Sequence, residues 1–348
     1  MATSQIIQSP TLADGLRELS VSDLYLLVDE NVAARVAEDI STLSTPPVMG
    51  SFPMGEEHKT LDGVSRIWQF LVENGAKRNS VAVCVGGGVT TDMCGFAAAT
   101  FKRGIEYVNV PTTLLGAVDA AVGGKTAIDF MGLKNEIGAF RIPLATIIVP
   151  RFFQTLPKEH ILSGYAEMLK TALLDTPEHA AMLMRYGDDV MAHREALFTD
   201  VVEVCRVKER IVAEDPLEKG IRKALNLGHT IGHAVESLMM RRNTPITHGH
   251  AVMVGLVAEA VISVMRKEMP SQLLYDLATI LNSNYPRILI TCDDYPALLA
   301  LMLHDKKNDG SGINFTMLRS PGNFLINSIA TDDELTSALD IYRDLTSI

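Results

Sequence analysis

Arg222, Asn226, His229 and His233 follow one another at spacings of four, three and four, which puts all four side chains on one stripe of a helix. Two imidazoles a turn apart beside an amide and a guanidinium suit a divalent cation or a catalytic site as well as they suit a core or surface role. A catalytic metal site takes three protein ligands and keeps one position open. A third ligand is therefore required. Glu167, in Gly164-Tyr-Ala-Glu-Met-Leu-Lys170, and His248, in Thr247-His-Gly-His250, are the candidates. Glu167 and Lys170 at i,i+3 also have the spacing of an ordinary surface ion pair, and His248 with His250 also reads as a solvated loop pair.

A second group of residues suits a phosphorylated or nucleotide ligand. Gly86-Gly87-Gly88 follows an apolar run and precedes the helical pattern Thr91 to Thr100, so its backbone can approach a pyrophosphate at a helix N-terminus. Thr91 stands where GxGxxG would have its third glycine, so the loop departs from that fingerprint. Asp29, closing an earlier apolar run, is placed to accept from a ribose diol, and Pro111-Thr112-Thr113 sets two hydroxyls beside another strand end. The stretch from Asp119 through Gly123-Gly124-Lys125, then Lys134-Asn135, brings a carboxylate, two ammonium groups and an amide into one short irregular segment. It lacks the spacing of a P-loop.

These residues need elements to hold them. The first half alternates short β-branched runs, Leu24 to Val28, Val81 to Val85, Tyr107 to Val110 and Thr146 to Val149, with helical patterns, which predicts a largely parallel sheet covered by helices. Such sheets bind ligands beyond the carboxyl ends of their strands. After about Leu156 the chain reads as successive amphipathic helices, His160 to Leu174, Glu178 to Met191, Glu195 to Ala213, Leu225 to Met240 and His250 to Met265, with one β-like piece at Asn314 to Leu318. The expected organisation is an α/β domain over 1–157 and an all-α domain over 158–348.

The formal charge of −11 argues against nucleic acid or an anionic membrane as partner, because both require a basic face. Any anion site must be a local basic pocket. Cys84, Cys94, Cys205 and Cys292 lack CxxC spacing and read as reduced thiols. The start of the chain has no signal-peptide pattern, and the apolar segment Ala251 to Met265 is short for a bilayer and interrupted by Glu259, so a cytoplasmic protein is expected.

Taken in order, the segments Val28-Asp29-Glu30-Asn31, Gly55-Glu-Glu-His-Lys59, GGGVTTDMCGFAAATFKRG, VPTTLLGAVDAAVGGKTAID, LKNEIGAF, TLPKEH, GYAEMLK, LNLGHTIGHAVE, HGHAV and HDKKNDG resemble the 3-dehydroquinate synthase family, within the sugar-phosphate cyclases. They run from roughly residue 28 to 310. The resemblance implies a Rossmann-like NAD-binding α/β domain, a helical metal domain, an active site in the cleft between them and a homodimer. It implies Glu167, His229 and His248 as ligands of Zn²⁺ or Co²⁺, which moves His233 to a substrate or proton-relay role. Asp29, Glu56, Lys59, Gly87, Gly88, Asp92, Thr112, Thr113, Asp119, Lys125, Lys134 and Thr155 are implied around NAD. Arg103, Asp119, Lys125, Asn135, Lys170, Lys208, Glu218, Arg222, Asn226, His233 and Lys306 or Lys307 are implied around a phosphorylated sugar acid.

The implied reaction turns 3-deoxy-D-arabino-heptulosonate 7-phosphate into 3-dehydroquinate and phosphate, through oxidation at C5, phosphate elimination, re-reduction and aldol closure, in the shikimate pathway to aromatic amino acids. Another sugar-phosphate cyclase, a metal-dependent polyol dehydrogenase and a catalytically silent protein of the same fold are the rival readings. Asn135, Lys170, Arg222 and Asn226 favour a carboxylated substrate. Two residues depart from the family pattern: Thr91 for a glycine, which could alter the pyrophosphate cradle, and His250 for a glutamate, which could add a metal-competing imidazole.

Overall fold

In the computed structural model, which describes residues 4–303 and 312–346, the chain packs as two compact units. The first comprises Met1–Pro157 with Phe198–Ala213, the second Lys158–Leu197 with Glu214–Ile348. Segment 198–213 thus lies in the first unit, although the sequence reading placed it with the helical half. Its apolar periodicity marks it as a packed helix but carries no information about what it packs on.

The first unit is built on a parallel sheet. β1 (Gln5–Gln8), β2 (Leu24–Asp29), β3 (Val48–Phe52), β4 (Val81–Gly86), β5 (Glu106–Pro111) and, after a hairpin, β8 (Ala145–Ile148) lie in the order β1-β8-β5-β4-β2-β3. Every pair is parallel. β4 is buried along its whole length, as a central strand covered on both faces must be. From β2 the chain steps outward to β3 and then returns to the other side as β4, so the order reverses between β2 and β4. Asp29 and the Gly86-Gly87-Gly88 turn close those two strands, at the point where such sheets bind ligands. The hairpin is formed by β6 (Lys125–Phe130) and β7 (Leu133–Phe140). Sequence reading took it for an irregular glycine-rich segment.

Among the described residues, the second unit is helical apart from the antiparallel pair β9 (Ile313–Ser320) and β10 (Asn323–Ala330). Its helices include Lys158–Leu173, His229–Arg241 and His248–Met265. The last is apolar around most of its circumference and, by length and composition alone, could cross a membrane, which corrects the expectation that it is too short. It is instead the unit's core helix, with residues from Gly249 to Ser263 buried.

That helix ends in an ion pair. Arg266, at its C-cap, donates from Nε and Nη2 to the two carboxylate oxygens of Glu334, at 2.7 and 2.8 Å. Glu334 also closes a capping box with Thr331. The Arg266 bond leads the causes that lower the Glu334 carboxyl to about 2, with burial opposing. A depressed carboxylate contributes stability that is complete above its unfolded value and disappears as pH falls through the folded one. Glu334→Gln is therefore expected to cost about 2 kcal/mol at pH 7. In denaturant unfolding, the difference from wild type should shrink steadily between about pH 4.5 and 2. A difference independent of pH would contradict the ion-pair origin.

Candidate active site

Helix Lys158–Leu173 carries Glu167 and Lys170, both 1% exposed, with Lys170 Nζ 2.5 Å from Glu167 Oε2. This is a buried pair, so the surface-pair reading of that spacing falls. The other carboxylate oxygen, Oε1, lies 3.4 Å from His229 Nε2 and 3.5 Å from His248 Nε2. Those separations are longer than hydrogen bonds. Ligands bound at 2.0–2.1 Å around a tetrahedral ion stand roughly 3.3–3.4 Å apart, so the carboxylate oxygen stands near that spacing from each of the two nitrogens.

The remaining nitrogens set the tautomers. His229 Nδ1 donates to the Leu227 carbonyl at 3.0 Å, and His248 Nδ1 donates to Glu236 Oε2 at 3.1 Å. Each ring therefore turns its Nε2 towards Glu167, and the Glu236–His248 pair is the outer-shell arrangement that strengthens a metal-ligating imidazole. Burial works to lower the His248 pKa, but the Glu167 and Glu236 carboxylates beside it carry it up to about 10. The surroundings thus favour positive charge at this point. His233 belongs to the same cluster, its ring centroid 5.1 Å from that of His229 and 5.6 Å from that of His248. The ligand atoms of the three histidines lie within 4.8 Å of one another.

The single stripe expected from Arg222 to His233 is corrected by the structure. Ile221–Asn226 is a 3₁₀ turn, Leu227 leaves the helical region at ψ 129°, and Gly228 takes a left-handed φ of 76° before the helix begins at His229. A β-carbon at Gly228 would lie 2.9 Å from the Val252 carbonyl oxygen, so conformation and space both call for glycine. Arg222 and Asn226 are held instead by the preceding loop. Asp215 accepts from the backbone of Lys219, Gly220 and Arg222, the Arg222 guanidinium donates to the Pro216 carbonyl at 2.9 Å, and Asn226 donates to Glu218 at 3.2 Å. Sequence reading missed Asp215 and Glu236. Glu236 falls three residues after His233, so it continues the His229 to His233 face and was available as a signal.

In the first unit, Lys59 Nζ reaches Asp92 Oδ2 at 2.7 Å and Asn135 Oδ1 at 2.6 Å, joining three predicted residues. Lys134 pairs with Glu56 at 3.1 Å. Lys208 donates to the Asp119 carbonyl at 2.6 Å and pairs with its carboxylate. Asp119 sits in a single π-turn, Gly116–Ala120, a distortion often found at functional positions. Gly87 caps the helix Gly88–Thr100, leaving first-turn amides at the end of β4, and Thr113 accepts from the Gly116 amide. Thr112 is buried, and Lys125 is exposed at the start of β6. Asp29 accepts from the backbone and side-chain amides of Asn31, and Thr155 accepts from Arg35. Arg103 is exposed at φ 69° in the turn after that helix. Lys306 and Lys307 lie outside the described residues.

Both departures have a local account. Thr91 is buried and its hydroxyl donates back to the Gly88 carbonyl at 2.9 Å, within its own helix. His250 is buried with its ring 5.2 Å from that of Tyr285, and burial pushes its pKa down to about 4 against a backbone bond to Pro286. It is not part of the histidine group that could hold a metal ion.

Residues 49–163 match the N-terminal, and residues 164–308 the C-terminal, 3-dehydroquinate synthase family. The chain belongs to the 3-dehydroquinate synthase family. A 3-dehydroquinate synthase from Parabacteroides distasonis is 45% identical over 96% of this chain and 95% of its own length. One from Staphylococcus aureus is 35% identical over 90% and 87%. Among solved structures, 2-epi-5-epi-valiolone synthase from Streptomyces hygroscopicus, with NAD⁺ and Zn²⁺ bound, superposes with a TM-score of 0.86 at 22% identity, covering 99% of this chain and 98% of that one. A 2-deoxy-scyllo-inosose synthase complexed with carbaglucose-6-phosphate, NAD⁺ and Co²⁺ gives 0.81 at 24% identity, covering 96% and 95%. At these identities the two structures establish the shared fold.

Proposed function

We infer that the chain is a 3-dehydroquinate synthase, converting 3-deoxy-D-arabino-heptulosonate 7-phosphate to 3-dehydroquinate and phosphate. The observation that carries this reading is the Glu167 oxygen at 3.4 and 3.5 Å from two imidazole nitrogens, in a chain of this family. Glu167, His229 and His248 would hold a divalent cation, Zn²⁺ or Co²⁺, and the donor set fits it: one carboxylate and two imidazoles, each imidazole oriented by a second bond. A bound cation supplies Lewis acidity at a substrate hydroxyl, and bound NAD supplies transient hydride storage.

The chain's own groups do the rest. Gly87 and Gly88 present helix N-terminal amides to the pyrophosphate, while Asp29 accepts from a ribose diol. Glu56, Lys59, Asp92, Thr112, Thr113, Lys134 and Thr155 complete the cofactor set, with Asp119 and Lys125 shared between cofactor and substrate. Lys170 balances the charge of Glu167, and Lys208 does so for Asp119. Arg222 is suited to the substrate carboxylate, because its planar fork can bind both oxygens. Lys125, Asn135, Asn226, Arg103 and a lysine of the 306–307 pair serve the phosphate, and Glu218 fixes Asn226. His233, a turn beyond His229, is placed to relay a proton.

The reaction is redox-neutral overall, which gives a clean assay. Purified chain with NAD, Co²⁺ or Zn²⁺ and the heptulosonate phosphate should release phosphate in step with product and accumulate no NADH. Net NADH would indicate a polyol dehydrogenase, and no phosphate release a silent protein. Arg222→Ala should lower kcat/KM roughly 100-fold, the loss of a charge-assisted bidentate contact, while leaving metal affinity unchanged. Unchanged turnover at low substrate would remove Arg222 from the carboxylate role. The same reading places the enzyme in the cytoplasmic shikimate pathway as a homodimer. Phe130, Met131, Leu133 and Phe140 form an exposed apolar hairpin that a second copy would cover, and light scattering on the purified chain reads that state.

A further inference from the structure

Helix His229–Arg241 begins without a capping side chain of its own, since Gly228 occupies the N-cap. Its first-turn amides still need acceptors. Glu259, 1% exposed on the neighbouring helix, supplies them: Oε2 accepts from the Gly228 amide at 2.7 Å, and Oε1 accepts from Thr230 and Ile231 at 3.1 and 3.3 Å. The pinned amides bracket His229 on both sides.

Geometry explains how a carboxylate from another helix can do this. His248, Val252, Gly255 and Glu259 are spaced four, three and four, so they share one face of helix His248–Met265. Gly255 brings the two backbones almost into contact, because a β-carbon there would fall 1.8 Å from the Gly228 carbonyl oxygen and 2.9 Å from the Gly232 amide nitrogen. One helix face thus carries a metal-ligand candidate at its start, the close approach in its middle and the cap at its end. The helix N-terminus and its open amides in turn stabilise the buried carboxylate.

We propose that Glu259 is a positioning residue for the metal site, fixing the backbone at Gly228, Thr230 and Ile231 so that His229 stays in register with His248 and Glu167. The proposal rests on reading those three residues as the metal ligands. Glutamine is the informative replacement. It keeps the shape of the side chain but turns one acceptor into a donor facing a backbone N–H.

In chelator-competed Co²⁺ titrations, E259Q should bind Co²⁺ about 10–100-fold more weakly than wild type, the usual cost of losing an outer-shell partner, with an altered d–d absorption spectrum. NAD affinity should stay within twofold. Val261→Ala, a cavity in the same helix at a buried position, controls for general destabilisation: it should lower Tm yet leave Co²⁺ affinity within twofold. If E259Q lacks native circular dichroism, E259D is read in its place, with the same weakening expected. Wild-type Co²⁺ binding matched within twofold by E259Q, or weakened equally by V261A, overturns the proposal alone. Failure of both Glu259 variants to fold assigns the residue to the fold and also overturns it. A wild-type chain that binds no Co²⁺, or an H229A chain that binds it normally, overturns the metal reading and this proposal with it.

Discussion

Replacing His229 with alanine is expected to lower kcat at least about a thousand-fold, because the Lewis acidity of a bound cation is worth several kcal/mol of charge stabilisation in the transition state. Truncation removes one of the two nitrogens that flank Glu167 Oε1 and leaves a carboxylate and one imidazole, too few to hold a catalytic ion. Metal analysis after dialysis should therefore show the variant empty where wild type retains one ion. NAD affinity should survive, since the residues assigned to NAD belong to the other compact unit. His233→Ala separates the two ways of choosing ligands from this cluster. All three histidines can present nitrogens within 4.8 Å of each other, and the proposed assignment takes His229 and His248 as ligands from their 3.4 and 3.5 Å separations from the Glu167 oxygen. The His233 variant should keep its metal and lose turnover. A metal-free His233→Ala chain would put that imidazole in the coordination sphere and Glu167 outside it.

The residues proposed for this site are marked by their types and spacing in the sequence, while the connections that align them are not. Strand ends at Asp29, Gly86 and Pro111 announced themselves because buried parallel strands are continuous apolar runs that stop at turn residues. The short edge strands β1 and β3 have no such contrast, since Gln5–Gln8 is half polar and Val48–Phe52 contains Gly50 and Ser51. The polar stripe from Arg222 to His233 had helical spacing, yet no helix joins its halves. Spacing alone cannot register that Gly228 must leave room for Val252, because that constraint comes from a helix twenty residues later. The same limit hid Glu259. In sequence it was only a charge interrupting an apolar segment, and its role appears once Gly255 brings the two helices together.

A second large effect is expected at Lys59, whose side chain is 5% exposed and whose ammonium joins Asp92 to Asn135. Lys59→Met should destabilise the chain by about 2–3 kcal/mol at neutral pH, because it strands a half-buried carboxylate beside an amide oxygen that has lost its donor. The size of the loss should depend on pH, and the sign follows from Asp92. Burial already raises the Asp92 pKa from 3.8 to about 6, even against the attraction of Lys59. The folded state therefore takes up a proton more readily than the unfolded chain, and the stability this contributes is complete below 3.8 and lost as pH rises through about 6. Removing the ammonium raises the folded value further, so the variant's deficit should widen from pH 5 to pH 8. Denaturant unfolding at the two pH values measures this directly. Lys59→Met combined with Asp92→Asn should recover much of the loss, since the uncompensated charge is gone. A deficit that is equal at both pH values and untouched by Asp92→Asn would mean that Lys59 acts through packing of its aliphatic stem and not through its charge.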